Sequence, residues 1–134
     1  MAQMSDTEAR ALIEQAIASL LDPRQDAETL ARYFAPDYLQ EVDGKRLDYP
    51  GFIAHARAVK AHLRGGRATI QSLIVQGDTI ADIHVVDAEK VDGGRIQTKV
   101  IAFFTVRDGK IVRVDELTHL VEGGEGDRDM GSRT

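Results

Sequence analysis

The chain has 134 residues, 17 Lys and Arg against 22 Asp and Glu, a net charge of −5, and no cysteine. The absence of cysteine excludes disulfides, thiolate catalysis and cysteine-based metal sites, and favours a reducing cytoplasm as the location. Negative charge without a basic cluster argues against nucleic acid as a partner. No apolar run approaches the roughly 18 residues of a membrane span, and the first residues do not resemble a secretory signal, so no membrane association is expected.

The first part of the chain predicts two helices. Ser5 to Glu8 has the pattern of a capping box, and apolar residues at helical spacing extend the first helix to about Leu21. Asp26 is the predicted cap of a short second helix, which Pro36 is expected to terminate.

A short strand and a third helix are predicted next. The strand covers Tyr38–Val42 and turns back at Asp43-Gly44. Asp48 is a plausible cap for the third helix, with Pro50 in its first turn, and Gly65-Gly66 is expected to end it.

The second half of the chain predicts an antiparallel meander, because β-branched and aromatic runs are separated by hairpin-type turns. The turn signals are Gly77-Asp78, Asp92-Gly93-Gly94 and Asp108-Gly109. The predicted strands are roughly Arg67–Gln76, Thr79–Val91, Arg95–Arg107 and Lys110–Glu122. We expect a single domain over residues 5–122, followed by a polar tail, residues 123–134, whose low apolar content is typical of disorder.

Two segments carry a resemblance to a known family. They are Tyr33-Phe34-Ala35-Pro36-Asp37-Tyr38 at the helix-to-strand corner and Arg107-Asp108-Gly109-Lys110-Ile111-Val112 before the last strand. With the order of elements, they resemble the nuclear transport factor 2-like superfamily, in its SnoaL-like branch, and the ending from Glu116 to Ser132 is similar to that of uncharacterised bacterial members. The resemblance implies an α+β, cystatin-like cone, in which three N-terminal helices pack on a strongly curved, mostly antiparallel sheet.

The implied fold places a pocket between the third helix and the concave face of the sheet. Side chains from the helices and from alternate strand positions are expected to line it. The predicted lining residues are Phe34, Phe52, Val59, Val86, Phe104 and Thr118. Because they are mostly aliphatic and aromatic, without an arginine pair, the predicted ligand is a small apolar molecule rather than a phosphorylated one.

His84 and Glu116 are the first candidates for catalysis. His84 lies in the middle of a predicted strand, where an imidazole can act as general acid or base, and Asp82 on the same face can orient its ring. Glu116 falls on an apolar strand face, where burial raises the pKa of a carboxyl group, while His119 falls on the opposite face. The alternative is that both are structural: His84 on a solvated or dimer-facing surface, and Glu116 satisfied at the sheet rim.

Tyr38 is the third catalytic candidate, because a phenol on the first strand can donate a hydrogen bond to a ligand oxygen. Its alternative role is amphipathic packing at the pocket rim. His55 and His62 lie on one side of the third helix but about two turns apart, too far to share a metal, and neither a metal nor a cofactor is expected.

Two functions remain open from the sequence. The first is a cofactor-independent isomerase or cyclase that uses general acid–base chemistry on a small apolar carbonyl compound. The second is a non-catalytic ligand-binding or dimerisation module. A homodimer through the convex sheet face is expected in either case, because both faces of the strand with Ile101 and Phe103 are apolar.

Overall fold

The computed structural model describes residues 4–133 and has the α+β architecture that the sequence predicts: three N-terminal helices on a curved six-stranded sheet. Its elements are α1 (Asp6–Leu21), a 3-10 helix (Ala27–Arg32), β1 (Phe34–Val42), β2 (Lys45–Leu47), α2 (Tyr49–His62), β3 (Leu63–Gln76), β4 (Thr79–Lys90), β5 (Arg95–Arg107), β6 (Lys110–Glu122) and a 3-10 turn (Glu125–Asp127). In the described range no helix is both long and apolar enough to cross a membrane.

The predicted caps of the two long helices are confirmed. At α1 the Ser5 hydroxyl accepts the backbone N–H of Glu8 at 3.1 Å, and the Glu8 carboxylate accepts the N–H of Ser5 at 3.2 Å. At α2 the Asp48 carboxylate accepts the N–H of Gly51 at 3.0 Å. Asp26 lies at the predicted N-cap position, but its side chain makes no capping hydrogen bond and the helix that follows is a 3-10 helix.

Two predicted helix ends lie inside strands instead. Pro36 belongs to β1, where the register with β6 shifts between Phe34 and Leu39, so its missing N–H breaks no ladder bond. Helix α2 ends at His62, and Gly65-Gly66 continues β3. A Cβ on Gly66 would lie 3.0 Å from the backbone oxygen of Asp87, so close strand approach explains a glycine there.

The strand order is β2-β1-β6-β5-β4-β3, with β1 and β6 parallel and all other pairs antiparallel. This pairing aligns Asp82 with Ala102 and Ala102 with Glu116, so the two acidic residues share one row across the sheet. His84 lies in the adjacent row, opposite Val100, which in turn pairs with Thr118. The concave face therefore holds His84 and both carboxyl groups within two neighbouring rows.

The C-terminal segment packs against the cone instead of extending into solvent. The Asp127 carboxylate accepts the backbone N–H of Gly124 at 2.8 Å and pairs with the Lys90 ammonium at 3.2 Å. Gly131 lies against Thr118 and Val42, where an added Cβ would meet a methyl carbon of each at 3.1 Å. Disorder of this segment, which its composition suggests, is not what the structure shows.

Candidate functional site

A cavity of about 130 Å³ lies between the two long helices and the concave face of the sheet. Its walls are mostly apolar, and a few polar groups border it from β1, α2, β4 and β6. The lining residues are Ile17, Leu20, Leu21, Phe34, Tyr38, Gln40, Phe52, His55, Val59, Leu63, His84, Val86, Ala88, Ile96, Thr98, Val100, Phe104, Val114, Glu116, Thr118, Met130 and Gly131. All nine residues predicted for the site are in this set.

His84 and Asp82 form a buried pair on the inward face of β4. The Nδ1 atom of His84 lies 2.8 Å and 3.0 Å from the two carboxylate oxygens of Asp82. Because a carboxylate only accepts, Nδ1 carries a hydrogen, and in the neutral form of the ring Nε2 keeps its lone pair. No protein atom in residues 4–133 bonds to that Nε2 atom, which leaves it available to a molecule in the cavity.

Glu116 is the second ionisable group at the cavity. Burial raises the pKa of its carboxyl group from 4.5 to about 7, and the charge of His84 opposes that rise while those of Asp43 and Asp82 add to it. Near neutral pH this carboxyl group therefore exists both with and without its proton, which allows it to act as acid or base.

Tyr38 is buried in β1, and its hydroxyl is already hydrogen-bonded within the protein. It donates to the side-chain oxygen of Gln40 at 2.9 Å. Burial raises the pKa of Tyr38 well above its usual value, and the charges of Glu116 and Asp115 act in the same direction, so the phenol stays neutral. The hydrogen bond predicted from Tyr38 to a ligand is, in this structure, a bond to Gln40.

The predicted lining residues form two kinds of wall. Phe34, Phe52 and Tyr38 make a triangle of rings with centroids 4.6 to 4.8 Å apart, which gives the cavity a rigid aromatic side. Val59, Val86 and Phe104 supply further apolar surface. The Thr118 hydroxyl donates to the Asp43 carboxylate, so it is used inside the protein.

Thirteen of the 22 lining residues are not anticipated by the sequence analysis, and those with polar groups or from the C-terminal segment include Gln40, His55, Met130 and Gly131. A signal for Gln40 exists, because it follows Tyr38 by two residues and shares its face of β1. The two histidines of α2 differ in burial, since His55 is buried and His62, near the end of the helix, is exposed.

His55 connects the cavity to the C-terminal segment. Its Nδ1 atom lies 2.6 Å from the backbone oxygen of Arg133 and therefore donates to it. Burial lowers the pKa of His55, so its ring is neutral and its Nε2 atom is an acceptor. Across the described residues no group of three His, Cys, Asp or Glu side chains is close enough to hold a metal ion.

Comparison with known proteins agrees with this architecture. The family model of the SnoaL-like domain matches residues 9–114. An uncharacterized protein of the fission yeast Schizosaccharomyces pombe is 38% identical over 125 residues, which cover 93% of this chain and 96% of that protein. The bacterial origin suggested by the C-terminal sequence thus gains no support.

Solved structures of low sequence identity share the fold. AusH from Aspergillus nidulans superimposes with a TM-score of 0.73 at 8% identity, over 86% of each chain. IdmH, a candidate polyketide cyclase from Streptomyces antibioticus, gives 0.67 at 21% identity, over 86% of this chain and 92% of that one. An epoxide hydrolase of Mycobacterium tuberculosis gives 0.66 at 20% identity, over 84% of each chain. With the family match over most of its length, the chain belongs to the SnoaL-like domain family.

Proposed function

We propose that this protein is a small-molecule enzyme, a cofactor-independent isomerase or cyclase that moves protons on a small, largely apolar carbonyl compound. The observation that carries the proposal is the Asp82–His84 pair, whose free imidazole nitrogen borders the same cavity as Glu116. A base held by a carboxylate and an acid with a pKa of about 7 are the two groups that such chemistry requires.

The proposed reaction begins at the His84 Nε2 atom, which removes a proton from the carbon next to the carbonyl group. The electrons of the C–H bond form the carbon–carbon double bond of an enolate, and the carbonyl oxygen gains the negative charge. The imidazolium that results is stabilised by the Asp82 carboxylate on its other nitrogen. In a β,γ-unsaturated substrate the enolate is conjugated with the second double bond, so protonated Glu116 donates its proton to the γ carbon. The remaining double bond then lies between the α and β carbons, and the carbonyl group re-forms. The proton held by His84 replaces the one given by Glu116, so the compound is isomerised without net gain or loss of atoms.

The cavity walls support an apolar and uncharged substrate. No lysine or arginine lines the cavity in the described part of the chain, so a phosphate group would lack a partner. The ionised forms of Asp82 and Glu116 would also repel an anion. The cyclase and hydrolase names of two structural neighbours are consistent with small-molecule chemistry on this fold.

A non-catalytic ligand-binding module is the second candidate. It is favoured by the engagement of Tyr38 with Gln40 and of Thr118 with Asp43, since both hydroxyls serve the protein itself. In that case a ligand would fill the apolar cavity without being converted.

We also propose a homodimer through the convex face of the sheet. Ile101, Phe103 and Leu117 are 52%, 57% and 66% exposed there, and Ile101 pairs directly with Leu117. An apolar patch of this kind, rimmed by polar residues, is typical of a protein interface.

A reducing cytoplasm is the proposed location, as a chain without cysteine suits it.

A β,γ-unsaturated cyclic ketone such as 3-cyclohexen-1-one provides a test, because its isomerisation to the conjugated enone is visible by ultraviolet absorption. The proposal predicts acceleration by the wild-type protein and its loss in His84→Phe. Saturable binding of the ketone without any acceleration would support the binding module instead.

A further inference from the structure

We propose that Gln40 is a ligand-anchoring residue, whose side-chain N–H groups donate a hydrogen bond to the carbonyl oxygen of the molecule in the cavity. The inference rests on the proposed function for the nature of that molecule, a neutral carbonyl compound. It also gives that function a specificity element, because it assigns the carbonyl oxygen to one end of the cavity.

The side-chain amide of Gln40 has a hydrogen-bond partner at its oxygen but none at its nitrogen. Gln40 is 4% exposed and lines the cavity, and its Oε1 atom accepts the hydroxyl of Tyr38 at 2.9 Å. In this arrangement the phenol of Tyr38 is the donor and the oxygen end of the amide is the acceptor. The Nε2 atom, at the other end, is buried and has no hydrogen-bond partner in residues 4–133.

An unpaired amide nitrogen is costly at such a place. Buried polar groups are nearly always hydrogen-bonded, because the free energy of losing water is recovered only when another partner replaces it. The cross-strand neighbours of Gln40 are apolar, since Val114 is its partner on β6 and Leu47 its partner on β2. A leucine at this inward position would avoid the cost, so the amide points to an acceptor that arrives with the ligand.

Gln40 lies one row of the sheet away from Glu116, one of the groups proposed to transfer protons. Gln40 pairs with Val114, and Glu116 follows two residues along β6 on the same concave face. Successive inward rows of a sheet are about 7 Å apart. A carbonyl oxygen held at Gln40 would therefore direct the adjacent carbon atoms toward the row of Asp82 and Glu116. Because the amide is neutral and both neighbours in that row are acidic, the anchor suits a ketone or ester rather than a carboxylate.

The test compares two probes that differ only in the acceptor: 1-indanone, which has a carbonyl group, and indane, which does not. Dissociation constants are measured by proton NMR titration for wild type, Gln40→Met and a control, Gln97→Met. Gln97 is matched to Gln40 because its amide nitrogen also donates inside the protein, to Asp87 at 2.9 Å, but it lies outside the cavity. The methionine variant keeps the length of the side chain while removing the donor.

We expect wild type to prefer 1-indanone over indane by about fivefold to tenfold, and Gln40→Met to lose that preference while Gln97→Met keeps it. In the wild-type protein alone, the side-chain amide signals of Gln40 should move with 1-indanone and stay in place with indane, which provides a readout even if Gln40→Met does not fold. The ketone preference should also survive in His84→Phe, so failure of catalysis does not imply failure of the anchor. Equal affinities for both probes, no saturable ketone binding, or unmoved Gln40 signals would overturn the inference.

Discussion

His84 borders the cavity and is held from behind by Asp82, with the Nδ1 atom of His84 2.8 Å from a carboxylate oxygen of Asp82 and each residue only 4% exposed. The pair depends on local geometry alone, since two residues of one strand separated by one position always share a face. It fixes which nitrogen of the ring carries hydrogen and directs the other toward a ligand.

The tautomer of His84 gives the first prediction. Nitrogen NMR of the neutral wild-type ring should show the hydrogen on Nδ1 in a single form. In Asp82→Asn the amide can donate as well as accept, so that single form should be lost. His119, exposed on the convex face, is the internal control and should not change. A wild-type His84 that carries its hydrogen on Nε2 would contradict the assignment.

The raised pKa of Glu116 predicts how stability depends on pH. The carboxyl group has a pKa of about 7 in the folded protein, against 4.5 for an ordinary glutamate. Between these values the folded state holds a proton that the unfolded chain has released, so the free energy of unfolding falls as pH rises through that window. Below that window Glu116 does not lower the free energy of unfolding. Above it the carboxylate lowers the free energy of unfolding by a constant amount, on the order of 3 kcal/mol.

Glu116→Gln should abolish this dependence. Urea unfolding at about pH 5 and about pH 8 should show that the variant gains stability relative to wild type at the higher pH, in the direction set by the linkage. Glu122→Gln, an exposed glutamate of the same strand, is the matched control. An equal difference between Glu116→Gln and wild type at both pH values would mean that Glu116 is ionised normally.

The site could be predicted from the sequence where it depends on short-range regularity. The two-residue period of β4 is enough to put His84 and Asp82 on one face, though not to say that this face is inward, and the apolar set of β6 indicates the face of Glu116. The pairing of β1 with β6 is a long-range feature, because it joins Gln40 to Val114, 74 residues later in the chain. No short-range pattern in the sequence predicts its register. The two-residue period puts Gln40 on the face of Tyr38 and Val42, but the pairing of β1 with β6 is what shows this face to be buried.

Polar contacts limit the sequence analysis at the C-terminus. Its low apolar content suggests disorder, yet the contacts that hold it are the Lys90–Asp127 ion pair and the backbone oxygen of Arg133 on His55. Neither leaves a periodic pattern in the sequence. The prediction that Pro36 ends a helix is wrong because the irregular register of β1 accommodates a proline that a regular strand would exclude.

Gly131 provides a test of the packed C-terminal segment. A valine there would press on Thr118 and Val42, whose methyl carbons lie 3.1 Å from the position of an added Cβ. We expect Gly131→Val to displace the segment and to speed trypsin cleavage at Arg128. Gly126→Val is the matched control, because an added Cβ meets nothing within 4 Å there. Equal cleavage rates in both variants would show that the segment does not depend on this contact.

The proposed homodimer is tested at Phe103, which is 57% exposed on the convex face. Phe103→Glu should weaken self-association by placing a charge in the apolar patch, while the helix signal in circular dichroism stays unchanged. Light scattering at micromolar concentration should give a dimer mass for wild type and a lower mass for the variant. A monomer mass for wild type would reject the proposal.

The central claim, proton transfer by His84 and Glu116, is tested most directly by exchange of the carbon-bound hydrogens next to the carbonyl of 1-indanone in deuterated water. Proton NMR should show wild-type protein accelerating this exchange in a saturable way. His84→Phe should reduce the protein-dependent rate by about 100-fold or more, the scale of general acid–base catalysis, while His119→Phe leaves it unchanged. A wild-type rate equal to that of buffer alone, or a His84→Phe rate equal to that of wild type, would contradict the claim.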